Sequence, residues 1–245
     1  MAPPPALARL IEGLQSLLFP ASCLGCRIPV ETDRSRPLCP ACLKKLPAWQ
    51  DPWCVRCGQS LAGTGAGVTL CLACKGSRDF FDKAVSCFPY EGIVQEIVLA
   101  FKYAGKTGWL AFLAERMFQQ VRKQLGNDPA DWVVPVPLHP VRRRERGFDQ
   151  ARLVAGALAR QLKLPEAHGL LKRWKPTAPQ TRLTRQARLA NVQGAFSLRP
   201  SPWLGQARFL LVDDVFTTGA TANACAKLLK EAGAAQVTVV TFARG

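Results

Sequence analysis

The sequence predicts an α/β fold, a parallel sheet flanked by helices, preceded by a small cysteine-rich module. Three observations carry that expectation. Apolar runs of strand length alternate with segments of helical periodicity in the second half of the chain. Two of those runs, residues 209–212 and 236–242, bracket one helix, as in a right-handed βαβ unit. Eight of the ten cysteines fall in four Cys-x-x-Cys pairs within the first 75 residues.

The chain has 245 residues and is 48% hydrophobic, enough for one sizeable core and an accessory module. No apolar run is long enough to cross a bilayer. Residues 1–22 lack the basic start of a signal peptide, and Arg9, Glu12 and Gln15 interrupt the apolar stretch. Leu7, Leu10, Ile11, Leu14, Leu17 and Leu18 share one helical face, so a short amphipathic helix is expected there. It docks on the protein or lies on a membrane surface.

The cysteine pairs are Cys23/Cys26, Cys39/Cys42, Cys54/Cys57 and Cys71/Cys74. Twelve residues separate the first two pairs and thirteen the last two. A knuckle turn aims two thiolates at one metal, and a second knuckle across a short hairpin completes a tetrahedral set. The spacing assigns Cys23, Cys26, Cys39 and Cys42 to one zinc, and Cys54, Cys57, Cys71 and Cys74 to another. An interleaved arrangement needs longer crossings. Gly25 and Gly58 suit the tight turns.

A structural role is favoured over a redox one. Residues 23–75 carry too few apolar side chains to fold without staples, and the pairs lie among Pro, Gly and charged residues rather than beside a strand–helix unit. Disulfides would need an oxidising compartment, and no export signal is visible, so a cytoplasmic location is expected. Each loaded site carries a net −2, taking the formal +16 to about +12. Cys87 and Cys225 stand outside the pattern and read as small core residues.

Residues 79–245 read as the α/β domain. A strand ending near Tyr90 carries Val85, Cys87 and Phe88. Ile93, Val94, Ile97, Val98 and Phe101 have helical spacing, and a second helix carries Trp109, Leu110, Leu113, Met117 and Val121 before stopping near Gly126. Residues 132–136 form a short buried strand, followed by a loop and then a helix over 149–163 with Leu153, Val154, Ala157, Leu158 and Leu162 on its apolar face. The last βαβ unit runs through a helix over 220–232, with Cys225, Leu228 and Leu229 inward and Gly233 at its end.

In open α/β sheets, ligands lie beyond the carboxyl ends of the strands. Asp213 and Asp214 mark such an end. Thr217, Thr218, Gly219, Ala220 and Thr221 then offer backbone N–H groups and hydroxyls at a helix N-terminus, an anion site that Gly219 lets a phosphate approach closely. Adjacent carboxylates repel phosphate. They accept hydrogen bonds from a vicinal diol, or support a magnesium bound to it. Phosphate loop plus diol acceptor spells ribose 5-phosphate.

Residues 209–221, FLLVDDVFTTGAT, resemble the phosphoribosyl pyrophosphate (PRPP) motif of type I phosphoribosyltransferases. Phe216 stands where that motif has an aliphatic residue. The stretch VVPVPLHPVRRRERGFDQ resembles the pyrophosphate loop of the same superfamily. The resemblance implies pyrophosphate contacts from Leu138, His139, Arg142, Arg144 and Arg146, although His139 reads equally as a turn residue between prolines. Residues 172–196 resemble the flexible loop of amidophosphoribosyltransferases, with Gln180 and Arg188 as its candidate contacts.

From end to end the chain resembles the ComF family of competence proteins, in its N-terminal helix, zinc knuckles, FKYAGK segment, RRRERGFDQ loop and PRPP motif. That resemblance implies a type I phosphoribosyltransferase-like fold, magnesium with PRPP, and a role in natural transformation, where single-stranded DNA enters the cytoplasm. It also implies a DNA translocase or recombination mediator as partner. Lys102 and Tyr103 face the site or simply end a helix.

Three functions stay open. The first is a phosphoribosyltransferase (a pentosyltransferase) with no identified acceptor or catalytic base, in competence or in nucleotide metabolism. The second is a catalytically silent protein on the same fold that binds single-stranded DNA. Residues 140–190 hold thirteen Arg and Lys against three acids, which suits a polyanion. The third is a zinc-ribbon scaffold that docks partner proteins.

Overall fold

The structure is a computed structural model and describes residues 22–29, 36–48, 52–61, 69–77, 79–103, 107–175 and 192–245. The amphipathic face expected over residues 7–18 lies outside the described residues, as do Gln180 and Arg188.

Two four-residue helices close the cysteine knuckles: α1 (Pro40–Leu43) and α2 (Leu72–Lys75). The sheet begins with β1 (Lys83–Pro89), followed by α3 (Gly92–Tyr103), α4 (Leu110–Leu125) and β2 (Trp132–Pro135). Helices α5 (Pro140–Arg146) and α6 (Gln150–Leu162) lead to a short antiparallel pair, β3 (Leu171–Arg173) and β4 (Phe196–Leu198). The chain closes through β5 (Arg208–Phe216), α7 (Ala220–Glu231) and β6 (Gln236–Arg244). The main sheet runs β1-β6-β5-β2, with every neighbouring pair parallel.

Strand alternation gives the sheet two apolar faces. Phe209 and Leu211 of β5 join Val237 and Val239 of β6 on one face, under Cys225, Ala226 and Leu229 of α7. Leu210, Val212, Val240 and Phe242 point to the other face, against α3, α4 and α6. There Phe242 meets Phe88 edge-on at 5.3 Å and Phe112 at 6.1 Å. Each face also takes one cysteine module: Cys54, Cys57, Cys71 and Cys74 pack on the α7 side, Cys23 and Leu38 on the side of α3. Cys87 and Cys225 are buried within the two cores.

Three expectations need correction. Residues 140–146 form a helix, not a loop. His139 caps it, its Nδ1 accepting from the Val141 N–H at 3.2 Å; Pro140 occupies the first turn, and Gly147 closes it at φ +80°. β5 does not stop at Val212 but carries Asp213 and Asp214 within it, because the backbone goes on pairing with β6 through Phe216↔Arg244. The segment 172–196 is not loop at its ends, since β3 and β4 pair there and the Trp174 N–H donates to the Ala195 carbonyl at 3.1 Å.

Candidate functional site

A cleft of about 440 Å³ opens at the carboxyl ends of the strands. Asp213 and Asp214 form part of its lining from β5, and Thr217, Gly219, Ala220 and Thr221 from the turn into α7. Leu138, His139, Arg142 and Arg146 face it from the far wall. Thr218 is not part of the lining; its Oγ1 accepts from the Ala220 N–H at 3.4 Å. Arg144 is exposed and also lies off the cleft, because the helix that replaces the expected loop turns it away.

The turn after β5 is tightly constrained and leads into a helix N-terminus. Gly219 adopts φ +77°, and a Cβ there would come within 2.7 Å of Phe216 Cζ, so neither the conformation nor the space admits a side chain. The backbone N–H groups that follow open a twelve-residue helix, whose dipole adds to their pull on a phosphate.

The acid pair is held by a lysine. Lys102 Nζ, from the last turn of α3, lies 2.9 Å from Asp214 Oδ1. Burial pulls the Lys102 ammonium down, but the charge and hydrogen bond of Asp214, together with the Asp213 charge, leave the lysine raised. Burial, with the adjacent Asp214 charge, pushes the Asp213 carboxyl up to about 7, with Lys102 opposing. The Asp214 N–H donates to Asp213 Oδ1 at 2.8 Å.

The opposite wall is knitted by Arg146. Its guanidinium donates to Gln150 Oε1 at 3.0 Å and to the Tyr103 hydroxyl at 3.3 Å, and lies 5.0 Å from the Tyr103 ring centroid. The Gln150 amide, itself buried, donates to the Lys102 carbonyl at 3.3 Å. His139 Nε2 lies 3.3 Å from the Trp174 carbonyl, which ties the start of α5 to the strand that carries Arg173. Arg173 also lines the cleft, its guanidinium 5.3 Å from the Phe196 ring centroid; burial pulls its pKa down, with Asp213 opposing.

The sequence leaves Lys102 either facing the site or simply ending a helix, and Arg173 carries no signal of its own. A basic residue in the last turn of a helix ordinarily offsets the dipole, so Lys102 had a bland explanation.

The cysteines divide as their spacing implied. Sγ atoms of Cys23, Cys26, Cys39 and Cys42 lie within 4.8 Å of one another, and so do those of Cys54, Cys57, Cys71 and Cys74. The Cys26–Cys39 and Cys57–Cys71 sulfurs are 3.8 and 3.7 Å apart. A tetrahedron with zinc–sulfur bonds of about 2.3 Å has an edge of roughly 3.8 Å. Backbone N–H groups also point at the sulfurs, Cys39 N to Cys23 Sγ at 3.3 Å and Cys42 N to Cys39 Sγ at 3.5 Å. Both sites fit structural zinc.

Residues 14–84 match the double zinc ribbon domain, and residues 149–245 match the phosphoribosyl transferase domain. The chain is 32% identical over 232 residues to competence protein F of Haemophilus influenzae, covering 92% of this chain and 98% of that protein. It is 28% identical over 231 residues to DNA utilization protein YhgH of Escherichia coli K12, covering 93% and 99%. It is 31% identical over 161 residues to competence protein ComFC of Bacillus subtilis, covering 65% and 63%.

Proposed function

The chain belongs to the family of competence protein F, and from that premise we propose that its cleft binds PRPP or ribose 5-phosphate, with magnesium, in the uptake and processing of single-stranded DNA. One observation carries the reading: the Asp213–Asp214 pair and the helix N-terminus at Thr217 to Thr221 open into one cleft, a diol acceptor beside a phosphate cradle. The 5-phosphate takes the backbone N–H groups of that turn and the ribose hydroxyls donate to the carboxylates. Lys102 keeps the paired carboxylates tolerable until the ligand arrives. Arg142, Arg146 and Arg173 face the region where a pyrophosphate on C1 would lie. Magnesium supplies further neutralisation of the ligand's phosphates when bound.

A cleft of this kind favours transfer of the ribosyl group by enclosing the developing oxocarbenium ion and the departing pyrophosphate. The acceptor is unassigned, and the test for turnover is pyrophosphate release with ammonia and a panel of nucleobases. Binding is tested first, by calorimetric titration with magnesium and PRPP. Asp213→Asn combined with Asp214→Asn should weaken PRPP by about 100-fold or more, given the usual strength of hydrogen bonds to charged groups. Unchanged PRPP affinity in that double variant removes the assignment.

A second reading has its own support. Arg143 and Arg144 are exposed on α5 outside the cleft lining, and Tyr103 and Trp174 expose large aromatic rings beside the same wall. Basic side chains interleaved with exposed rings suit single-stranded nucleic acid. Affinity for an oligonucleotide would then fall steeply with salt, and Arg143→Ala with Arg144→Ala would flatten the slope. A flat salt response in the wild type removes this reading. Docking of a DNA translocase or recombination mediator remains a proposal for the ribbons, tested by whether partner capture survives removal of residues 1–75 when PRPP binding does.

A further inference from the structure

Beneath the phosphate loop lie residues that the ribose phosphate reading does not use, of which Phe216 also borders the cleft. Arg244, at the end of β6, is only 8% exposed. No carboxylate pairs with it among the described residues. Its Nη2 instead donates to Cys57 Sγ at 3.3 Å and to Gln59 Oε1 at 3.2 Å, while its Nη1 is buried with no hydrogen-bond acceptor. The guanidinium carbon lies 4.8 Å from the centroid of the Phe216 ring.

Phe216 is the register partner of Arg244 and the residue just before Thr217. Its ring meets Phe81 edge-on at 5.6 Å and forms the floor beneath Gly219, where an added Cβ would meet Cζ at 2.7 Å. A metal-ligand sulfur, a guanidinium, an aromatic ring and the backbone of the anion loop are therefore stacked in contact.

A buried cation is costly unless a fixed negative charge compensates it. A four-thiolate zinc site supplies a net −2, and its closed geometry fixes where that charge lies. Partners just outside a metal site are usually read as tuning the metal. Here the contact also runs outward, from the site to the loop.

We propose that Arg244 is a positioning residue that makes the phosphate loop depend on the second four-cysteine site. With metal held by Cys54, Cys57, Cys71 and Cys74, the guanidinium is fixed, Phe216 is held under Gly219, and the loop N–H groups stay aligned for a phosphate. Without it, the guanidinium loses its anchor and the ring beneath the loop loses its cation. The inference takes its ligand, though not its geometry, from the ribose phosphate reading.

The test pairs calorimetry with ribose 5-phosphate and amide hydrogen exchange over residues 217–221, on the full chain with its zinc content measured. Arg244→Gln should weaken ribose 5-phosphate about tenfold and speed exchange at those amides by a similar factor, leaving β2 amides unchanged. Arg244→Lys should recover part of both. Phe216→Leu should produce a loss of its own, and adding Arg244→Gln to it should cost little more, since both act through one contact. If Arg244→Gln does not fold, the same cycle is run with Arg244→Lys. Wild-type exchange and affinity in a folded Arg244 variant, or losses that simply add in the double variant, overturn the proposal. If the wild type ignores ribose 5-phosphate while loop exchange still answers to Arg244, the coupling stands and the ligand reading fails.

Discussion

The first four-cysteine site has one buried cysteine, two half-exposed and one exposed, whereas all four cysteines of the second are buried. The first leans on the α3 face of the sheet through Leu24 and Leu38, with an exposed Arg27–Glu96 pair at 3.8 Å as its outer tie. The second is sewn into the sheet. The Ala84 N–H of β1 donates to the Arg56 carbonyl at 2.6 Å, and Arg56 Nη1 donates to the Cys74 carbonyl at 3.0 Å and the Ser77 carbonyl at 3.3 Å. Identical ligand sets thus do different work. The first staples a small module to the surface, and the second belongs to the core beneath the turn between β5 and α7.

That contrast can be broken. The largest effect is expected from Cys54→Ser, which should lower the melting temperature by more than 10 °C and reduce zinc from two per chain to one, because structural metal binding is folding free energy. Cys26→Ser should remove one zinc as well but cost roughly half as much in melting temperature. Equal losses in the two variants, by calorimetry and zinc assay, would erase the distinction. Arg56→Ala is next: losing two bonds from a charged donor to backbone carbonyls should cost about 1–3 kcal/mol in denaturant titration. Arg27→Ala should fall within about 0.5 kcal/mol of the wild type, since exposed pairs contribute little.

The two faces also hold their cations differently, one buried and one half-buried. Arg244 answers to sulfur, whereas Lys102 answers to the Asp214 carboxylate at the cleft. Asp213, raised to about 7, binds more protons in the folded chain than in the unfolded one between about pH 4 and 7. Its contribution to stability is therefore complete below about pH 4 and is lost as pH rises through 7. Asp213→Asn should raise the melting temperature at pH 8 by a few degrees, with little change at pH 4, while weakening PRPP binding. Lys102→Met should move the pH midpoint of PRPP binding upward, because the lysine now holds Asp213 down. An unmoved midpoint would mean that Lys102 does not face the acid pair in solution.

Much of this was legible before any coordinates. Periodicity marked α3, α4, α6 and α7, and the cysteine spacing alone divided eight ligands into two sets. What escaped did so for physical reasons. α5 has the sequence PVRRRER, with a single apolar residue and no buried one, so it has caps but no periodic face to read. Asp213 and Asp214 end an apolar run without ending a strand, since pairing with β6 depends on the backbone rather than on side-chain polarity. Lys102–Asp214 and Arg244–Cys57 join positions 112 and 187 residues apart, and no local pattern encodes such a meeting. Phe216 was visible only as a departure from an aliphatic position; the structure gives that ring a neighbour on either side, Arg244 and Gly219.

Among the described residues, β3 and β4 pair only with each other. The Trp174–Ala195 hydrogen bond clamps the two ends of the intervening chain together at a fixed doorway beside the cleft. With the two ends held in this way, a longer connection between them would add only slowly to the entropy of closure. The β3–β4 pair thus fixes where the chain leaves and rejoins the wall of the cleft without drawing on the pairing of the main sheet.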